Sequence, residues 1–254
     1  AAVSNGHFGV RRGMEEYCFT RATLPVALNP IMWEHIQRTY CPGEKPVIFV
    51  PHGFEGEFFT QHPAPYSPVE GRFNVCYTGA LTKNRGIDLL VHSCTLLREK
   101  YPSLRLHLIG PYGFGISADL KRMIETSDFV MRTELPRSAI PAALAGMDLL
   151  VVPYNPQERY LNLTYPTKIF EYIGAAKPIL CTKCKPLMTI DDMGGFMYAG
   201  YSLEEMAKTI EYLIAHPEVR AEMGRALHRI REDHTWTERA SRIYHGIRSL
   251  YITA

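Results

Sequence analysis

The feature that most restricts what this chain can fold into is its rhythm after residue 72, where short apolar runs alternate with segments of helical period. Phe73–Thr78 predicts a strand ending at Gly79, and Leu104–Ile109 a second strand ending at Gly110. Further strands are expected at 129–131, 148–152, 178–181 and 195–198. Helices are expected between and after them, at 87–100, 119–125, 137–145, 167–175 and Leu203–Ala215. In the first of these, Leu89, Leu90, Cys94 and Leu97 share one side. Repeated strand–helix units imply a parallel sheet covered on both faces, with right-handed connections. The expected class is therefore α/β, a doubly wound sheet, whose ligands bind beyond the carboxyl ends of the strands.

Residues 1–70 look like the end of another such unit. Strands at 24–28 and 47–50 would flank a helix, Pro30–Tyr40, with Pro at its first position. The proline-rich stretch Gln61-His-Pro-Ala-Pro-Tyr-Ser-Pro68 then reads as a linker, which places a boundary near residue 70. The expected organisation is 1–70 as a partial Rossmann-like segment, 71–235 as the main domain, and 236–254 as a terminal helix returning to the first segment. Because the chain opens on Ala1, it is expected to be part of a longer protein.

Composition removes several function classes. The 254 residues are 46% hydrophobic and 21% charged with a net formal charge of +2, too balanced for a chain built around nucleic acid. No apolar run approaches the roughly 18 residues needed to span a bilayer. Cysteines 18, 41, 76, 94, 181 and 184 are spread through apolar stretches, which suits reduced thiols in the cytoplasm better than a disulfide framework. Cys181-Thr-Lys-Cys184 has half of a zinc spacing, but no second ligand pair accompanies it, so no metal is expected. The sequon Asn162-Leu-Thr164 stands against a composition that favours a cytoplasmic protein.

The segment Tyr165-Pro-Thr-Lys-Ile-Phe-Glu171 concentrates the chemistry. Pro166 suits a first helical position, so Thr164 or Tyr165 is expected as the cap, leaving the amides of Thr167, Lys168 and Ile169 free. Such amides, with the positive end of the helix dipole, make an anion site, and Lys168 adds a full charge. Glu171, one turn on, suits ribose hydroxyls better than phosphate. Taken alone, the same residues equally describe a solvated Lys–Glu pair on an ordinary helix. A second loop, Gly79-Ala-Leu-Thr-Lys83-Asn-Arg85-Gly86, follows the first strand at the same sheet edge. Its glycines permit close backbone approach, and Lys83 and Arg85 can reach a diphosphate. Gly110-Pro-Tyr-Gly113-Phe-Gly115 is a further loop there. Neither the G-x-G-x-x-G nor the G-x-x-x-x-G-K-[ST] spacing occurs, which sets aside dinucleotide oxidoreductases and P-loop enzymes.

From about Val47 to Tyr251 the chain resembles the retaining GT-B glycosyltransferases of the family-4 type. Val50-Pro-His-Gly53 with Phe58 is similar to the turn leaving the N-terminal domain. Tyr77-Thr-Gly79 through Arg85-Gly86 is similar to the phosphate loop, and Leu106-His-Leu-Ile-Gly110 to the strand after it. The stretch from Ile140 through Asp148-Leu-Leu-Val-Val-Pro153 is similar to the helix and strand before the donor loop. Pro166-Thr-Lys168-Ile-Phe-Glu171-Tyr-Ile-Gly-Ala-Ala-Lys177-Pro178 is the most specific piece. His216-Pro-Glu-Val-Arg220, Met223-Gly224 and Trp236 complete the tail.

The resemblance implies a glycosyltransferase, with the main sheet as its C-terminal donor domain and a nucleotide diphosphate sugar, of UDP or GDP, as substrate. Lys168, Arg85, Lys83, Thr167 and Gly79 would hold the diphosphate and Glu171 the ribose. The base would lie against Met131, Arg132 and Thr133, and the sugar near Asn162 and Thr164. It implies no metal and no cofactor, because cations and amides neutralise the leaving diphosphate. The acceptor, whether glycan, lipid or small molecule, and any contact with the inner face of a membrane would belong to the N-terminal domain. The 254-residue chain is therefore expected to bind donor weakly and to transfer little by itself. The sequence departs from the family at two places: Leu163 replaces the first of two glutamates, leaving Asn162 or Glu158 in its stead, and Ala80 replaces a common arginine. These departures carry the competing expectation, a degenerate GT-B module used for nucleotide binding or assembly without catalysis.

Overall fold

The computed structural model describes residues 3–41, 43–56, 66, 68–190 and 194–252. In chain order the elements are α1 (Val3–Arg21), β1 (Val26–Ala27), α2 (Pro30–Tyr40), β2 (Ile48–Phe49), β3 (Phe73–Thr78) and α3 (Ile87–Arg98). There follow β4 (Leu104–Ile109), α4 (Ala118–Thr126), β5 (Val130–Thr133), α5 (Ile140–Ala145), β6 (Leu149–Val152) and α6 (Lys168–Ala175). The chain ends with β7 (Ile179–Thr182), α7 (Lys185–Met188), β8 (Phe196–Ala199), α8 (Leu203–Ala215), α9 (Pro217–Ile230) and α10 (Trp236–Ile252).

Strands β3 to β8 form one parallel sheet in the order β5-β4-β3-β6-β7-β8. This is the expected α/β, doubly wound architecture. Every residue of β3, β6 and β7 is buried, as central parallel strands covered by helices require. In α3 the buried residues Ile87, Leu90, Val91, Cys94 and Leu97 recur at helical spacing and lay one face on the sheet. Helix α6 is apolar on most sides, with Ile169, Phe170, Tyr172 and Ile173 all buried. The strand order reverses between β3 and β6, so a crevice opens beyond their carboxyl ends.

Strands β1 and β2 form a separate parallel pair joined through α2. The α2 cap, Asn29, accepts from the Met32 amide at 2.8 Å and donates to the Leu163 carbonyl at 3.0 Å. The tail is tied to the same region. Phe54 N–H donates to the His234 carbonyl at 3.1 Å, and Trp236 N–H to the Phe54 carbonyl at 2.9 Å. A Cβ on Gly53 would lie 2.9 Å from the Trp236 nitrogen, so glycine is needed for this backbone approach. Helix α10 then runs against β2, where Gly246 meets the Ile48 side chain.

Several boundaries differ from the sequence expectation. Strand β5 ends at Thr133 rather than 131, because its ladder with β4 continues to the Ile109–Thr133 pair. The stretch expected as helix at 137–145 opens as a 3-10 turn, Arg137–Ala139, before α5. Helix α1 and the short α7 were not anticipated. The expected linker and Phe58 lie outside the described residues, save Tyr66 and Pro68. Tyr66 bonds His107 on β4, and Pro68 sits against Gly146. All six cysteines are free thiols, with Cys76, Cys94, Cys181 and Cys184 buried.

Candidate functional site

A cleft of about 630 Å³ opens at the switch between β3 and β6. Gly79 and Gly110, which follow β3 and β4, form its floor, and the first turn of α6 forms one wall. Gly79 has φ 110°, and a Cβ there would meet the Lys168 Nζ at 3.1 Å. The glycine therefore gives both the turn and the room for the lysine.

The start of α6 differs from the expected capping. Thr167 occupies the cap position in helical conformation, without a side-chain cap bond. Ile169 N–H donates to the Pro166 carbonyl at 3.0 Å, so a tight turn consumes the amide expected to be free. Thr164 instead donates to the Tyr165 carbonyl, and the Tyr165 hydroxyl pairs with Thr189, so neither caps. The Thr167 and Lys168 N–H make no such bond, and both residues line the cleft.

Lys168 is 8% exposed, and its Nζ has no hydrogen-bond partner. The ammonium sits over the Tyr77 ring, 3.5 Å from its centroid, and 5.3 Å from that of Tyr154. Burial, reinforced by the Arg85 charge, holds its pKa well below the usual lysine range. Arg85 lines the same cleft, with Nη1 3.4 Å from the Ala80 carbonyl. Glu171, one turn along, is half-buried, and burial raises its carboxyl pKa against the opposing pull of Arg137 and Lys168. Burial pushes the Tyr154 hydroxyl up to about 12, so it stays a neutral donor. The cleft thus gathers three basic side chains, Arg85, Arg137 and Lys168, the first turn of α6, and the carboxylates of Glu134 and Glu171. It is an anion site with a hydroxyl-accepting group beside it.

Among the expected residues, Gly79, Arg85, Thr164, Thr167, Lys168 and Glu171 line the cleft. Lys83 does not. The 3-10 turn Lys83–Arg85 directs Arg85 inward and leaves Lys83 exposed, lining a neighbouring depression with Asp88 and Gly115. Met131, Arg132 and Thr133 also lie outside, because they continue the β5 ladder and the Thr133 carbonyl is taken by Gly110 N–H at 2.8 Å. Glu134, Leu135 and Arg137 reach the cleft in their place. Asn162 is withdrawn as well: its amide donates to the Pro156 carbonyl, and its Oδ1 accepts from Lys185 N–H at 3.4 Å. Leu163 is turned from the cleft, and Glu158 lines another depression beside Tyr201.

Sequence reasoning missed Tyr77, Tyr154, Tyr160 and His52. Tyr77 reads as strand core, and only α6 brings a lysine over its ring. Tyr154 carried a usable signal, since it follows Pro153 at a strand's carboxyl end. His52 enters from the β1–β2 region, half-buried, with its ring edge-on to Phe170 and Trp236 and its pKa lowered by burial. Among the described residues no group of three or more His, Cys, Asp or Glu is placed to hold a metal ion.

Comparison with known proteins decides the family. Residues 72–216 match the model of the glycosyl transferases group 1. The chain belongs to the group 1 glycosyltransferases. This glycosyltransferase chain is 24% identical over 198 residues to a D-inositol 3-phosphate glycosyltransferase of Pseudarthrobacter chlorophenolicus, covering 74% of itself and 45% of that protein. It is 23% identical over 218 residues to the protein of the same name from Arthrobacter sp., covering 81% and 50%. The chain spans about half the length of the curated relatives it matches. In fold it is similar to sucrose-phosphate synthase from Thermosynechococcus elongatus, with TM-score 0.72, 17% identity, and coverage of 97% of this chain and 63% of that one. Anabaena HepE in complex with UDP follows at TM-score 0.67 and 16% identity, with coverage of 90% and 64%. The group 1 glycosyltransferase fold here is thus GT-B, with a Rossmann-like sheet. No helix among the described residues is long and apolar enough to cross a membrane.

Proposed function

We propose that the cleft binds a nucleotide diphosphate sugar and that this chain carries the donor-binding half of a retaining, family-4 type GT-B glycosyltransferase. The observation that carries this reading is the Lys168 ammonium, buried and without an anionic partner beside Arg85 and two free amides. A leaving diphosphate supplies the missing charge. As the sugar C1–O bond breaks, its electron pair stays on the diphosphate, where these donors stabilise it without need of a metal. Positive character develops on the sugar, and an acceptor hydroxyl attacks C1 from the same face, passing its proton to the departing phosphate oxygen. Glu171 accepts from the ribose hydroxyls, while Glu134 and Leu135 border the base. The HepE complex with UDP makes UDP the first probe.

Calorimetric titration with UDP, GDP and ADP tests the reading. It expects binding of at least one, lost in both Lys168→Ala and Glu171→Ala. Failure of all three to bind at millimolar concentration would refute it. The replacement of the first family glutamate by Leu163 favours a second reading, a nucleotide-binding module without transfer. The two readings part on whether transfer appears once the chain is supplied with an acceptor domain.

A further inference from the structure

Among the described residues, the Lys168 amine meets the Tyr77 and Tyr154 rings and no hydrogen-bond partner. Tyr77 lies below its nitrogen at 3.5 Å and Tyr154 beside it at 5.3 Å, and no carboxylate comes within salt-bridge distance. Both rings are themselves fixed. The Tyr77 hydroxyl donates to the Ala80 carbonyl at 3.1 Å, and Tyr154 is buried at the end of β6. Cation–π attraction seats an ammonium in such a place but does not replace a counter-ion.

We propose that the Tyr77 and Tyr154 rings are a seat for the Lys168 side chain, and that an incoming nucleotide diphosphate is the counter-charge this seat lacks, so that binding draws a proton onto Lys168. The proposal rests on the donor-site reading above.

The groups facing Lys168 leave the diphosphate as the remaining source of negative charge. From β3 come Cys76 and Tyr77, both pushed upward by burial and therefore neutral. After β6 comes Tyr154, also neutral. The 3-10 turn contributes Arg85, which repels. On its own helix stands Glu171, whose carboxyl is raised by burial and which forms no ion pair with Lys168. The empty site thus disfavours the charged amine, and an anion at the free amides restores it.

The experiment is calorimetric titration with UDP at about pH 8.5, in two buffers of different ionisation enthalpy. At that pH the phosphates are ionised and histidines neutral, so neither supplies the signal. The difference in observed enthalpy should report net proton uptake by the wild-type chain. Lys168→Arg, protonated throughout, should show none. Tyr77→Phe keeps the ring and should keep the uptake, whereas Tyr154→Leu, which removes one face of the seat, should reduce affinity. UDP affinity of the wild type should also fall as pH rises toward the ordinary lysine value, which decides the matter if Lys168→Arg fails to bind. Binding with no proton uptake and a flat pH profile overturns the proposal while leaving the donor site standing. Uptake that persists in Lys168→Arg overturns it too. If UDP does not bind at all, the donor-site reading falls, and this proposal with it.

Discussion

The two ends of the cleft are furnished differently. At the end formed by Gly79, Arg85 and the start of α6, side chains converge, and the Lys168 amine is buried without a hydrogen-bond partner among the described residues. Along 160–167 the cleft is lined by Tyr160, Leu161, Thr164, Tyr165, Pro166 and Thr167, with no carboxylate. There Asn162 spends its amide on the loop, and Leu163 offers its carbonyl to Asn29. One end is pre-organised for charge; the other is organised mainly for its own backbone. Recognition energy should accordingly concentrate at the diphosphate, where charge-assisted bonds form in a dry site.

The sharpest way to break that contrast is Lys168→Met. UDP affinity should fall about 100-fold, the equivalent of ~3 kcal/mol for a charge-assisted contact. The ligand-free protein should meanwhile gain about 1–3 kcal/mol, because a buried polar group without a partner is removed. The pH dependence has a definite sign. The folded-state pKa of Lys168 lies well below the ordinary lysine value, so the unfolded chain binds the extra proton in the interval between the two. Stability therefore rises with pH across that interval and is lowest beneath it. Denaturant titrations over a pH series should show this slope in the wild type and lose it in Lys168→Met. A variant less stable than the wild type at every pH would count against a strained, waiting cation.

Arg85→Ala ranks next, with UDP affinity expected to drop about 10- to 30-fold, since Arg85 is half-buried and lies opposite the helix start. Glu171→Gln should cost about tenfold with UDP and leave binding of 2′,3′-dideoxyuridine diphosphate unchanged, which assigns the carboxylate to ribose hydroxyls. Equal losses for both nucleotides would move Glu171 to a purely structural role.

How far the sequence announces all this depends on the kind of signal. The β3, β4, α2 and α8 boundaries follow from apolar period and from Gly or Pro at their ends, which are local properties. Lys168 and Glu171 were legible because one turn of one helix sets their spacing. Arg85 was legible as a basic residue in a glycine loop at the sheet edge, but so was Lys83, and only the direction of a three-residue turn separates them. Met131, Arg132 and Thr133 fall outside the cleft because β5 runs on to Thr133. Where a ladder ends depends on its neighbour, β4, and not on the strand's own composition. Tyr77 and His52 were invisible for a similar reason, since only α6, distant in sequence, brings Lys168 over the Tyr77 ring and the Phe170 ring against His52.

Lys83 and Arg85 supply the smallest effect and the closest control. They lie two residues apart on one turn, carry the same formal charge, and looked equivalent in the sequence. If the positive field of the loop were what matters, Lys83→Ala and Arg85→Ala should weaken UDP binding alike. If geometry decides, they should not. Lys83 is exposed, lies outside the cleft, and borders Asp88 across a different depression, so its charge reaches the diphosphate only through water and salt. At physiological ionic strength such a charge is screened beyond roughly 8 Å. Lys83→Ala should therefore change UDP affinity by less than about twofold at that ionic strength, with a somewhat larger effect at low salt. A loss comparable to that of Arg85→Ala, undiminished by added salt, would mean that the loop closes on the nucleotide and carries Lys83 into contact.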